Sequence, residues 1–268
     1  MTDQPRANGT LPAAGRADPD RDVEGDADER TSEDPTRDAS EAAAIRVRYA
    51  RRVDGDPRYS LAGPAALLAL QERERATTAL LRTLQLTDFA LLSVLEVGCG
   101  SGGNLLDLLR LGFAPERLVG IELLAERHAA ARARLPATVR LVCGDATTVP
   151  LEAAAFDIVL QATVFSSLLD DAYQARLAHA MWAAVKPGGG VLWYDFTVDN
   201  PRNADVRGVP ARRVRALFPD AAAPRFRRLT LAPPIARAVT RLHPALYTVF
   251  NALPPLRTHL LGWLAKAP

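Results

Sequence analysis

Gly98-Cys99-Gly100-Ser101-Gly102-Gly103-Asn104 follows a short apolar run and precedes a helical one. Glycines at such a junction let the backbone turn tightly and approach a ligand, with a helix N-terminus close by. Gly98, Gly100 and Gly103 also fit the G-x-G-x-x-G dinucleotide fingerprint. Three carboxylates qualify that match. Glu96, two residues before the first glycine, would repel a pyrophosphate but could hold a cationic amino group. Glu122, ending the next apolar run, can accept both hydroxyls of a ribose, as in nicotinamide dinucleotide enzymes. Asp145, in Gly144-Asp145-Ala146 after the third run, can accept from an adenine amino group, with the next backbone N–H facing the ring. The three acids specify a nucleoside; a dinucleotide stays open as the alternative.

Alternating strands and helices must position these residues. Apolar runs at Leu92–Val97, Leu118–Glu122, Val139–Val142, Phe156–Gln161 and Gly190–Phe196 read as strands. Helical spacing through about Arg110, over Ala125–Leu135 and over Asp171–Val185 separates them, and Pro136 ends the middle helix. Strands alternating with helices predict a parallel sheet covered on both faces. Beyond Asp195 the rhythm changes to a helix near Pro210–Phe218, a strand at Phe226–Leu231, a proline-interrupted helical stretch and a strand at His259–Leu264. The last two strands are expected to pair antiparallel at the far edge of the sheet.

Leu95-Glu96-Val97-Gly98-Cys99-Gly100-Ser101-Gly102, Gly120-Ile121-Glu122, Gly144-Asp145-Ala146, Phe156-Asp157-Ile158-Val159 and Val185-Lys186-Pro187-Gly188-Gly189 occur in an order that resembles the class I S-adenosylmethionine-dependent methyltransferases. The resemblance covers roughly residues 92–196 and is closest to the type 11-like, bacterial small-molecule subgroup. It implies a Rossmann-like α/β fold: a seven-stranded, mostly parallel sheet with helices on both faces and an antiparallel edge strand. It also implies S-adenosyl-L-methionine as cofactor. By that mapping Glu96, Gly98, Gly100, Glu122 and Asp145 form the cofactor site, Ala146 adds a backbone contact and Gln161 lies beside the cofactor. Two other functions are weighed against methyl transfer: a non-catalytic cofactor-binding or scaffold protein, and an NAD(P)-dependent oxidoreductase.

Acceptor chemistry is expected where the fourth and fifth strands end. Asp195 is the candidate base or substrate-orienting acceptor, and Tyr194 or Phe165 a candidate pocket wall. The alternatives are that Asp195 caps a turn and that Tyr194 faces the helix layer. His128, His179, His243 and His259 lack metal-ligand spacing, so no metal is expected. The turn after the fourth strand, Gln161-Ala162-Thr163-Val164, lacks the Asn/Asp-Pro-Pro-aromatic pattern of amino-methylating DNA enzymes. Interleaved aromatic and basic residues for reading single strands are not evident. Nucleic acid is disfavoured, and the expected partner is a small-molecule acceptor. Arg202 and Arg207 could bind an acidic group on it, or could pair with nearby aspartates. The tail from Asn200 onward, with Ala232-Pro233-Pro234 and Leu253-Pro254-Pro255-Leu256-Arg257-Thr258-His259, loosely resembles methyltransferases of saccharide and natural-product pathways.

The 268 residues are 48% hydrophobic and 24% charged, ordinary for a globular protein. Through Glu41 there are 12 acidic and five basic residues, leaving 28 basic against 19 acidic beyond it. Residues 1–40 hold almost no large apolar side chain and read as a disordered acidic tail. Residues 41–90 read as a helical cap that either closes over the site as a lid or packs on the sheet face; residues 91–268 are the methyltransferase domain. No apolar run approaches the roughly 20 residues that cross a bilayer. Two cysteines, Cys99 and Cys143, suit a reducing cytoplasm. Oligomeric state is not legible in the sequence.

Overall fold

A computed structural model describes residues 35–51, 56–200 and 203–268. The first described element, helix α1 (Pro35–Ala50), begins inside the segment read as tail. Proline suits a first helical turn, and the following Ala, Glu and Arg residues are good helix formers. The remainder of that tail, and Arg202, lie outside the described residues. Helix α2 (Pro64–Thr83) precedes the sheet and also opens on a proline.

The sheet comprises β1 (Val94–Val97), β2 (Leu118–Glu122), β3 (Arg140–Cys143), β4 (Phe156–Ala162), β5 (Val185–Phe196), β6 (Ala222–Leu231) and β7 (Arg257–Ala265). Its order is β3-β2-β1-β4-β5-β7-β6. Strands β1 to β5 run parallel, and β7 enters antiparallel between β5 and β6. The chain leaves β1 toward β2 on one side and reaches β4 on the other, so β1 and β4 flank the switch point where such sheets bind ligands. Every residue of β1 and β2 is buried, as continuous apolar strands between two helix layers require.

Helices α3 (Gly103–Leu111), α4 (Ala125–Arg134), α5 (Asp171–Ala184) and α6 (Ala211–Leu217) cover the two faces. One core layer joins α1, α5 and α6 through Ile45, Tyr173, Leu177, Met181 and Val214. The other joins α2, α3 and α4 through Ala76, Leu81, Leu105, Leu108 and Ala131. Period-2 alternation along β5 sends Val191 and Trp193 into the first layer and Leu192 and Tyr194 into the second. Between β6 and β7 lie α7 (Pro233–Leu242) and α8 (Ala245–Asn251), a cap with its own small core of Leu231, Ala236, Val239 and Tyr247.

Helix α2 is fixed to that cap by one carboxylate. Glu72 Oε2 accepts from Thr230 N (3.2 Å) and Tyr247 Oη (2.8 Å), while Oε1 accepts from Asn251 Nδ2 (2.7 Å). The cap/lid segment of the sequence reading is thus two elements with separate positions. Helix α2 packs on the sheet face, whereas α1 packs against the loop that follows β4.

Candidate active site

The turn after β1 holds Gly98, Gly100 and Gly102 at φ +68°, +57° and +82°, a region that side-chain-bearing residues rarely enter. Space demands glycine as well. A Cβ on Gly98 would stand 2.5 Å from Val164 Cγ2, and one on Gly100 would run into the Arg127 guanidinium. Gly103 has open space and the Arg127 side chain can swing away from Gly100, so of the fingerprint glycines Gly98 is enforced by both backbone and packing and Gly100 by its backbone.

Glu96 is fully buried beneath this turn. Its Oε1 accepts from Asn104 Nδ2 at 2.5 Å, and Arg73 Nη2 of α2 donates to Asn104 Oδ1 at 2.7 Å. Oε2 has no partner. Burial pushes the Glu96 carboxyl up to about 7, against the opposing bond from Asn104 and the nearby Arg73 charge. Between pH 4.5 and 7 the folded protein therefore holds a proton that the unfolded chain has released, so folding stability falls as pH rises through that window. His259, lowered to about 3 by burial, works in the opposite sense below 6.5. Comparing wild type with Glu96→Gln isolates the Glu96 contribution: the fall in Tm from pH 5 to pH 8, relative to the variant, is expected to be roughly 3–5 °C larger in the wild type. Identical pH profiles would reject it.

Glu122 faces the same turn. Its Oε2 accepts from Gly100 N (2.8 Å) and its Oε1 from Leu124 N (2.9 Å). Asp145 Oδ1 accepts from Thr147 N, Thr147 Oγ1 and Tyr173 Oη, each at 2.8 Å. Ala146 beside it is buried. Gln161 is fully buried at the end of β4; its Oε1 accepts from Val164 N (3.1 Å) and its Nε2 reaches Tyr194 O (3.5 Å). Gln161 thereby holds Val164 against Gly98. Sequence reasoning missed Arg73 and Tyr173, which arrive from α2 and α5 with no local signal, and the contact that Val164, three residues after Gln161, makes with Gly98. Asn104 was within reach, eight residues after Glu96 and second in the helix that the glycines open.

Asp195 is fully buried and its carboxylate is occupied. Oδ2 accepts from Ser166 N (3.1 Å) and Oδ1 from Phe196 N (2.8 Å). Burial raises its carboxyl to about 6, partly offset by bonds from the Ser166 side chain and neighbouring backbone. Tyr194 and Phe165 do not share a wall. Phe165 stacks obliquely on Trp193 at 4.7 Å in one core layer, and Tyr194 lies in the other, its hydroxyl 2.7 Å from Thr230 Oγ1. Arg207 pairs with Asp171, the ion-pair alternative. Among the described residues no cluster of three His, Cys, Asp or Glu side chains could hold a metal ion.

Helix α1 reaches across the loop after β4. Arg48 bridges Glu41 (2.6 Å) and Ser167 O (3.1 Å), Glu41 Oε1 accepts from Leu169 N (2.9 Å), and the Tyr49 ring lies 5.1 Å from the Arg127 guanidinium carbon.

Residues 94–189, from β1 into β5, match the methyltransferase domain family. No curated protein sequence matches the chain. Three solved structures share the fold at low identity. A putative sarcosine dimethylglycine methyltransferase from Galdieria sulphuraria aligns with TM-score 0.56 and 12% identity over 85% of this chain and 98% of its own. A SAM-dependent methyltransferase from Archaeoglobus fulgidus aligns with TM-score 0.52 and 14% identity over 75% and 98%. The 1,6-didemethyltoxoflavin-N1-methyltransferase of Burkholderia thailandensis, solved with its didemethyltoxoflavin and S-adenosylhomocysteine, gives 0.51 and 19% over 73% and 78%. Residues 94–189 thus match a methyltransferase domain, and they lie on the strand order of the class I S-adenosylmethionine-dependent methyltransferase fold.

Proposed function

We propose that the protein transfers the methyl group of S-adenosylmethionine to a small-molecule hydroxyl or amine, of the saccharide or natural-product kind. The observation that carries the site assignment is Glu96 Oε2, a buried carboxylate oxygen without a partner beneath a glycine turn. Such an atom is costly to bury unless a cation completes it. The cofactor's amino group supplies that cation, and its sulfonium supplies an already activated methyl group. Glu96 and the Gly98–Gly100 turn hold the amino-acid end. Glu122 meets the ribose hydroxyls in place of its backbone donors, Asp145 and Ala146 take the adenine, and Gln161 lines the methyl-bearing side. Asp195 serves the acceptor side. Its two backbone donors favour a positioning role over that of a base, because they fix the Phe165–Ser167 turn where an acceptor must enter.

Helix α1 acts as a lid on this reading. Its contacts with Ser167, Leu169 and Arg127 span the acceptor loop and the rim of the glycine turn, and its closure would exclude water from the reacting centre. Residues 41–90 thus contribute one covering helix and one structural helix, α2.

The test is a calorimetric titration of the full chain with S-adenosylmethionine, S-adenosylhomocysteine and NADH, followed by incubation with methyl-labelled cofactor and a host extract. Binding of the first two, and label appearing in a small molecule, is expected. Saturable binding of NADH alone would replace the reading with an oxidoreductase, and binding without any labelled product would leave a cofactor-binding scaffold. Adding S-adenosylhomocysteine is further expected to slow proteolytic cleavage around α1; unchanged cleavage would remove the lid.

A further inference from the structure

Beyond Asp220 the chain has no acidic residue, while it carries six arginines and Lys266. This 48-residue stretch supplies β6, β7 and the α7–α8 cap between them. Strand β6 runs parallel to β5, since both pair antiparallel with β7, so the cap leaves β6 at the same sheet edge as the glycine turn. Leu242 is 80% exposed, Val249 61% and Leu253 53%. Ala245 and Val249 of α8 and Ala252 just after it recur at i, i+4 and i+7, all exposed, and the exposed Pro254 and Pro255 follow in sequence. Single exposed aliphatics are ordinary. Three of the eight exposed large aliphatics among the described residues fall within twelve positions, on a cap without one carboxylate, and such clustering marks a candidate interaction surface.

We propose that the α7–α8 cap docks on the surface of an anionic lipid bilayer. Leu242, Val249 and Leu253 enter the headgroup–acyl boundary, and Arg241 of α7 with Arg228 at the adjoining end of β6 meets lipid phosphates. Both arginines are exposed, and neither makes an ion pair among the described residues. A basic rim around an apolar face is the pattern of helices that lie in a membrane interface. Among the described residues no helix is long and apolar enough to cross one. A second copy of the chain fits poorly, because two acid-free basic surfaces would have to meet. Nucleic acid fits poorly too, since the exposed centre is aliphatic and offers no ring on which a base can stack. Arginines on β6 also guard a sheet edge against strand addition, but that role leaves the aliphatic cap unexplained.

The experiment is sedimentation of the full chain with large vesicles of phosphatidylcholine alone, or of phosphatidylcholine with about one third phosphatidylglycerol, without cofactor. Partitioning onto the anionic vesicles is expected to exceed that onto neutral ones by at least about tenfold and to weaken in high salt. The triple variant Leu242→Ser/Val249→Ser/Leu253→Ser should lose about tenfold of it with unchanged Tm, since all three side chains are solvent-facing. The pair Arg228→Glu/Arg241→Glu should remove the salt-sensitive part independently. Absence of wild-type binding to both vesicle types, or binding that neither variant alters, would overturn the proposal. So would a dimer that the triple variant dissolves, or binding to an oligonucleotide lost with the arginine pair while vesicles are ignored. Because no cofactor or acceptor is present, failure here leaves the methyl-transfer reading standing, and failure of that reading leaves this one.

Discussion

Glu96→Gln is expected to weaken S-adenosylmethionine binding by about 100-fold, the scale seen when one member of a buried charge pair is neutralised. The substitution keeps the shape of the side chain and its bond to Asn104, so the loss reports charge. Wild-type affinity should also climb as pH rises toward 7, about tenfold per unit, because the Glu96 carboxyl is held up to about 7 and must release its proton to receive an ammonium. Above that the curve should flatten. In the variant the pH dependence should vanish along with the affinity. Calorimetric titrations from pH 5.5 to 8.5 measure both. Affinity within threefold of wild type would remove Glu96 from the cofactor site.

Asp195→Asn is expected to cut turnover by about 100-fold while changing cofactor affinity less than threefold. An asparagine can present one oxygen to Ser166 N or Phe196 N, but its amide N–H₂ then confronts the other donor, and the Phe165–Ser167 turn loses its anchor. The pH–rate profile separates two mechanisms. If Asp195 removes a proton from the acceptor, wild-type kcat/KM should show an inflection near 6, the value to which burial raises this carboxyl, and the variant should lose it. If Asp195 positions the turn, the profile should keep its shape in the variant and only its height should fall. Full residual activity would exclude either role.

The half of the fold that was legible is the half built from short buried strands. Leu118–Glu122 reads as four apolar or small residues and a terminal acid, and a parallel strand covered on both faces admits little else. Strand β5 extends further back than its sequence suggests. Val185-Lys186-Pro187-Gly188-Gly189 carries turn chemistry, yet the strand begins at Val185 opposite Phe156. Strand β6 likewise starts at Ala222, four residues before its first aromatic, because pairing with β7 overrides weak local propensity. At the candidate site, the acids and glycines lie at strand ends, where the topology brings them beside one turn. Arg73, Val164 and Tyr173 come from other elements, and only packing tells which side chain arrives. Asp195 shows the converse: its place at the end of β5 was legible, but not that two backbone donors already fill its oxygens.

Gln161 holding Val164 against Gly98 makes the two halves of the site one mechanical unit. On the proposed reading, the segment that faces the acceptor begins with residues that also shape the floor beneath the cofactor. Attempts to retarget this protein by transplanting the stretch after β4 from a relative would disturb methyl-donor retention as well as acceptor choice. A graft that carries its own partner for Gly98 is the one that should remain functional.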